Sequence, residues 1–186
     1  MKSAKMKISI REMIESDFEL ITNYFLNLNP EIHNQLGIDI NKLPNKTQWI
    51  EKLQLEYKKP NVQKDFYYII WCLDGEPIGH SNINDIVYGL SAVMHLHIWR
   101  SGRRRSGLGL EYLKKTIPFY FNKFKLKKLI CQPNSQNIAP NRTLKKVGFE
   151  FIKKYETVPG WLNFNQTVNR YELKIEQYEK LKQKSN

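Results

Sequence analysis

The stretch Arg103-Arg104-Arg105-Ser106-Gly107-Leu108-Gly109 decides how this chain is read. It follows a strand-like run, Val93 to Trp99. It opens an amphipathic stretch with apolar residues at Leu110, Leu113, Ile117, Phe121 and Phe124. A strand, a basic glycine-bearing turn and a helix, in that order, make an anion site. The first N–H groups of a helix lack intrahelical partners, and the helix dipole adds about half a positive charge there. Glycine lets that backbone close on a phosphate with no Cβ in between. Two other phosphate loops do not fit. A dinucleotide fold needs G-x-G-x-x-G after an early strand and an acid some ~20 residues later. Here only Gly107 and Gly109 match, and the lysine-rich run that follows supplies no such acid. The nucleotide loop G-x-x-x-x-G-K-[ST] is absent.

The charge is gathered around that turn. The chain carries a net +12 over 186 residues. Residues 100–128 hold ten Lys/Arg against one acid, Glu111, whereas residues 1–99 hold ten bases and twelve acids. Such a patch attracts a phosphate-rich ligand or a nucleic acid, and lysines on a solvated helix face are its plain alternative. Cys72 and Cys131, 59 positions apart in apolar runs, form no metal pattern and read as buried thiols. No metal site is expected, and a reducing cytoplasm is the expected compartment. No apolar run approaches the ~20 residues that span a bilayer, so no membrane association is expected. The basic start, Met1 to Lys7, precedes no long apolar core and does not read as a secretory signal.

Hydropathy patterning orders the rest. Lys7–Arg11 alternates as a short strand. Glu15–Leu28 is a helix capped by Ser16 or Asp17, with Phe18, Ile21, Phe25 and Leu28 on one face. A polar bridge with Pro30, Gly37 and Pro44 leads to a helix over 47–57. Phe66–Leu73 and Pro77–Ile86 are strands joined at Asp74-Gly75, and Val93–Trp99 is a fourth. A helix from Gly107 to about Lys125 contains Pro118, which should kink or divide it. Leu129–Gln132 is a short strand. Asn137–Val147 is a helix ending at Gly148, with Pro140 in its first turn. Phe149–Tyr155 and Arg170–Ile175 pair antiparallel, and 176–186 is a charged, exposed tail. The expected fold is α/β (α+β): one domain over 1–186, with a mixed, mostly antiparallel sheet of about seven strands flanked by helices.

This order of elements and Arg104-Arg105-Ser106-Gly107-Leu108-Gly109 resemble the GNAT superfamily of acetyl-CoA-dependent N-acetyltransferases, whose loop is Gln/Arg-x-x-Gly-x-Gly/Ala. A second stretch, Asn137-Ile138-Ala139-Pro140-Asn141-Arg142-Thr143-Leu144-Lys145-Lys146-Val147-Gly148-Phe149, resembles the Asn-x-x-Ser-Asn-Arg-x-Leu-x-Lys-x-Gly-Phe segment of the branch that includes ribosomal-protein N-terminal acetyltransferases. The resemblance spans roughly residues 7–175 and is strongest over 93–150. It implies transfer of acetyl from acetyl-CoA to a primary amine by direct attack, without an acyl-enzyme. It implies that Arg104, Arg105, Ser106, Gly107, Leu108, Gly109 and Leu110 meet the pyrophosphate. It also implies that His97, Ile98, Trp99, Asn137 and Asn141 meet the pantetheine arm. Asn141 reads equally as a residue capping its own helix.

Two departures from the family pattern bear on chemistry. A Glu often stands where this chain has Val93. Period-2 alternation places Val93, His95, His97 and Trp99 on one strand face, so His97 and then His95 are the candidate bases. Packed strand histidines are their plain alternative, and His80 is a weaker candidate. The serine proposed in relatives to protonate the leaving thiolate is replaced by Pro140, and no acid is assigned. The acceptor, a small-molecule or peptide amine, should meet the first two helices, the 29–46 bridge and the 157–169 segment with Trp161 and Phe164. Asp39, Glu31 and Glu51 could draw in a cationic amine. Homodimers are common in the family. A catalytically reduced, nucleic-acid-binding or regulatory protein on the same scaffold is the competing reading.

Overall fold

The computed structural model describes residues 6–99 and 107–184. Arg103, Arg104, Arg105 and Ser106 of the anion turn lie outside the described residues. The elements run β1 (Ile8–Glu12), α1 (Asp17–Leu26), α2 (Pro30–Leu36), α3 (Lys46–Lys58), β2 (Phe66–Leu73), β3 (Glu76–Val87), β4 (Ser91–Ile98) and α4 (Leu108–Phe124). They continue with β5 (Lys128–Cys131), α5 (Ile138–Val147), β6 (Glu150–Thr157), β7 (Gln166–Lys174) and α6 (Ile175–Lys184). One seven-stranded sheet has the order β1-β2-β3-β4-β5-β7-β6. Its described pairings are antiparallel except β4 with β5, which run parallel.

Strand β2 explains the layers. Its continuous apolar run serves two cores, because alternate residues point to opposite faces. Ile69, Trp71 and Leu73 face α4, where Trp71 stacks on Tyr112 at 4.9 Å and donates its indole N–H to Thr116 Oγ1 at 3.0 Å. Tyr68, Ile70 and Cys72 face α1 and α3, where Phe25 stacks on Trp49 at 5.2 Å.

Four expectations change. The polar bridge contains a helix, α2, bounded by the signals it carries: the Asn29 side chain accepts from Ile32 N, Pro30 stands in the first turn, and Gly37 closes it at φ 69°. Ser16 makes no side-chain cap on α1. The Asp17 carboxylate instead accepts from Ile14 N and pairs with Arg11. Pro118 does not divide α4. Buried residues on both sides of it, from Tyr112 to Phe124, outweigh a local cost of about 3 kcal/mol. The charged C-terminal segment is mostly exposed, as expected, but it is helical, α6, and its Tyr178 stacks on Phe121 of α4 at 5.7 Å.

Candidate active site

The site lies where β4 leaves β5. The parallel ladder runs from Ser91↔Lys128 to Val93↔Ile130 and ends there. On its other side β4 stays paired with β3 as far as Ile98, through Asn84↔Val93, Asn82↔His95 and His80↔His97. Opposite residues of an antiparallel pair share a sheet face. One face of the hairpin therefore gathers His80, Asn82, Asn84, His95 and His97, while Met94, Leu96 and Ile98 pack into the α4 core. Gly79 permits the close approach of the two strands. A Cβ there would stand 2.4 Å from the carbonyl oxygen of His97.

Two cavities meet at this face. The first occupies the gap between β4 and β5 and continues to the start of α5, with Met94, Leu96, Cys131, Asn137 and Pro140 in its wall. It holds about 580 Å³, including its solvent-open mouth. The second, about 680 Å³ measured the same way, lies between α1, α3 and the segment before β7, with Phe25, Trp49, Tyr68 and Trp161 in its wall. His95, His97, Leu36 and Asn163 line both. A molecule in one cavity thus faces a molecule in the other across two imidazoles.

The 29–46 and 157–169 segments are latched over the second cavity. Asp39 N donates to Leu162 O at 2.8 Å, and Phe164 N donates to Gly37 O at 3.1 Å. The same Gly37 carbonyl accepts from Asn163 Nδ2 and Gln166 Nε2. A Cβ on Gly37 would overlap the Gln166 amide, and its positive φ also favours glycine. Leu36, Ile38, Trp161 and Leu162 reach the cavity from these segments, whereas Phe164 does not.

The histidines are held in defined states. An indole N–H can only donate, so Trp99 Nε1 at 2.8 Å makes His80 Nδ1 an acceptor. His80 is therefore neutral, with its proton on Nε2. Burial, then His97 and His95, hold its pKa well below the ordinary value. His95 Nε2 lies 2.8 Å from Asn84 Oδ1, and burial pushes its pKa down to about 4. At neutral pH His95 donates Nε2–H to Asn84 and keeps the Nδ1 lone pair. His97 Nδ1 lies 3.4 Å from the Tyr24 hydroxyl, and its ring packs edge-on against Phe25. Cys131 donates its thiol to Met94 O, and burial holds its pKa far above the thiol range. It is a protonated thiol, not a nucleophile at neutral pH.

The residues assigned to the cofactor divide by position. His97 and Asn137 line the first cavity, while Ile98 packs in the α4 core and the Trp99 indole turns to His80 on the opposite face. Asn141 ties its own turn. It donates to Asn134 O and Asn137 O, and its oxygen accepts from Asn169. Gly107 stands before α4 at φ 78° and accepts from Leu110 N. Leu108 is buried in the α4 core. Gly109, in the first turn, has no positive φ, and a Cβ there would meet no described atom within 4 Å. Part of the basic patch is paired: Lys114 with Glu111, Lys123 with Glu12 and Lys128 with Glu172. Among the described residues no three His, Cys, Asp or Glu side chains gather as a metal site. No described helix is long and apolar enough to cross a membrane.

Sequence reasoning missed Tyr24, Lys52, Asn84 and Asn163. Tyr24 sits three residues after Ile21, on the apolar face of α1, where it passes for core. Asn82 and Asn84 left a legible signal, because with His80 they make a polar period-2 face on a strand whose residues 78–81 are all buried.

A profile for the acetyltransferase (GNAT) domain matches residues 7–150. Three solved structures share the fold. Spermidine N-acetyltransferase from Vibrio cholerae, in complex with CoA and spermine, superposes with a TM-score of 0.76 at 16% identity, over 92% of this chain and 98% of that one. Aminoglycoside acetyltransferase AAC(6')-Ib, with coenzyme A and kanamycin, gives 0.73 at 16% identity, over 95% and 99%. RimL, the ribosomal L7/L12 alpha-N-protein acetyltransferase, in complex with coenzyme A, gives 0.73 at 14% identity, over 91% and 95%. No curated protein sequence matches the chain.

Proposed function

Because the chain belongs to the GNAT family of acetyltransferases, we propose that it transfers acetyl from acetyl-CoA to a primary amine by direct attack, with both substrates bound at once. One observation carries this reading: a gap between parted strands and a separate cavity meet at His95 and His97. The strand gap suits a narrow pantetheine arm, with an apolar wall from Met94, Leu96 and Leu144 and an amide from Asn137. The glycine turn before α4 suits the pyrophosphate, since its backbone lacks Cβ atoms at Gly107 and Gly109. Structural neighbours were solved with CoA and with spermine or kanamycin, which supports an amine in the second cavity.

The thioester supplies an activated acetyl carbon when it is bound. The chain's own groups handle position and protons. The amine must reach that carbon unprotonated, and an apolar, aromatic cavity disfavours its charged form. As the C–N bond forms and the C–S bond breaks, the nitrogen loses one proton and the thiolate gains one. His97 is the proton acceptor of this proposal, and Tyr24 at its Nδ1 is a positioning residue that fixes the imidazole. His95 orders the junction through Asn84 and does not carry charge. Pro140 lines the gap and has no proton to give, so the thiolate is protonated from water or through the imidazole.

The test is acetyl-CoA-dependent stabilisation followed by CoA release on adding amines. Acetyl-CoA should raise the melting temperature. His97→Ala should leave that rise in place and lower turnover about 10²-fold or more. Unchanged turnover would remove His97 from the mechanism.

A further inference from the structure

The second cavity carries a charge pattern that bears on the acceptor. Among the described residues its wall includes no carboxylate. The three acids that could have drawn in a cation do not line it: Glu31 and Glu51 are exposed elsewhere on α2 and α3, and the Asp39 carboxylate caps the turn after α2 by accepting from Asn41 N. Glu56, the buried acid of α3, is spent on Asp65 N, Phe66 N and Lys59. Residues 1–5, 100–106 and 185–186 contain no Asp or Glu. The histidines in the wall add no negative charge, and His95 is neutral above its lowered pKa.

Among the described residues, the one lysine or arginine in that wall is Lys52. Its ammonium lies 4.0 Å from the Trp161 ring centroid and 5.9 Å from that of Phe66, and it forms no ion pair within 4 Å among the described residues. Around it stand aromatic surfaces, with Trp161 still 46% exposed although it makes a T-shaped contact with Trp49. Asn82 and Asn84 add amide N–H groups that can donate to a carboxylate, whereas the Asn163 amide donates to Leu36 O and Gly37 O and presents only its oxygen. A polycation entering this cavity would meet a lysine and no counter-charge. An amine with a carboxylate and an apolar body would meet a cation, amides and aromatic faces.

We propose that the acceptor is a carboxylate-bearing amine with an aromatic or branched apolar body, of the class of free amino acids, its carboxylate read by Lys52 and its body by the Trp49–Trp161 wall. The proposal rests on the acetyl-transfer reading above. It is tested by CoA release with phenylalanine, leucine, phenethylamine, spermine and kanamycin. Acetyl-CoA-induced stabilisation is measured on the same protein. The amino acids should give kcat/KM at least tenfold above both polycations, and phenylalanine should exceed phenethylamine, which lacks only the carboxylate. Lys52→Glu should lower kcat/KM for phenylalanine tenfold or more, leave phenethylamine little changed, and leave acetyl-CoA stabilisation intact. Lys52→Ala, milder on an exposed helix face, should give the same direction. Preferential turnover of spermine or kanamycin would overturn the acceptor class and leave acetyl transfer standing. So would turnover of no amine by a protein that acetyl-CoA stabilises, or equal loss with phenylalanine and phenethylamine on changing Lys52. Absence of any stabilisation by acetyl-CoA would instead overturn the reading beneath it.

Discussion

Gly109→Ala and Gly109→Leu together separate what the fold needs from what the ligand needs. Gly109 is the second residue of α4, its φ is not positive, and an added Cβ would meet no described atom within 4 Å. The fold alone therefore gives no reason for glycine, and alanine is favoured over glycine in a helix by about 0.8–1.0 kcal/mol. The free alanine variant should be more stable by about 0.5–1 kcal/mol, which for a chain of this size is roughly 1–4 °C in melting temperature. A larger side chain should separate ligand from fold: the family's loop takes glycine or alanine at this place, so Gly109→Ala should keep acetyl-CoA binding, whereas Gly109→Leu puts a branched chain where the turn's backbone must approach a phosphate and should weaken it. With acetyl-CoA at 100 times the wild-type Kd, binding stabilises by about 2.7 kcal/mol. A tenfold weaker Kd reduces that to about 1.4 kcal/mol. Thermal melts with and without acetyl-CoA, together with calorimetric titration, read both signs. A Gly109→Leu variant that binds acetyl-CoA as tightly as wild type would refute the pyrophosphate assignment. A Gly109→Ala variant that melts lower would show that Gly109 serves the fold.

Three further outcomes follow from the same geometry. Gly79→Ala puts a Cβ 2.4 Å from a backbone oxygen of His97, which cannot swing away, so urea unfolding should show a loss of about 1–3 kcal/mol; a neutral result would mean that the β3–β4 approach is looser than described. Tyr24→Phe removes the hydroxyl at His97 Nδ1 but keeps the ring, so kcat should fall several-fold with its pH profile displaced while acetyl-CoA affinity holds; a fall with no displacement would make Tyr24 merely structural. His95 has a folded pKa near 4, below the ordinary 6.5, so it is neutral in the fold and the unfolded chain takes up the proton first. Its contribution is full above pH 6.5 and is lost as pH falls towards 4. It amounts to at most about 3 kcal/mol, discounted because the ring is partly exposed. His95→Gln should flatten that decline in a pH series of urea midpoints, and an unaltered slope would remove His95 as its source.

Much of the fold was legible because local signals agreed with tertiary ones. Phe66–Leu73 is a continuous apolar run between turn residues, and it is a strand over those same residues because both of its faces are buried. Gly148 closed α5 as expected, at φ 107°. The division allowed for at Pro118 does not occur, because propensity is local while the burial that overrides it is not. The exposure of the charged C-terminal segment was legible, but its helix and the stacking of Tyr178 on Phe121 were not, because that contact joins residues far apart in sequence. The site was half legible. Period-2 alternation brought out His95 and His97, since a strand's faces can be counted. Tyr24, Lys52 and Asn163 come from three other elements, and only the folding of α1, α3 and the 157–169 segment against β4 brings them together. The charge patch was legible as charge but not as function, because the partners of Lys123 and Lys128, Glu12 and Glu172, are distant in sequence.

The central claim is that acetyl passes directly from one cavity to the other at His95 and His97, with Cys131 inert. It is tested by mixing excess protein with acetyl-CoA, measuring CoA release before and after an amine is added, and taking the intact mass of the protein at both points. The account predicts no stoichiometric CoA release and no acetylated protein until the amine is present, and then one acetylated amine for each CoA formed. A burst of CoA without amine, with acetyl retained on Cys131, would contradict it.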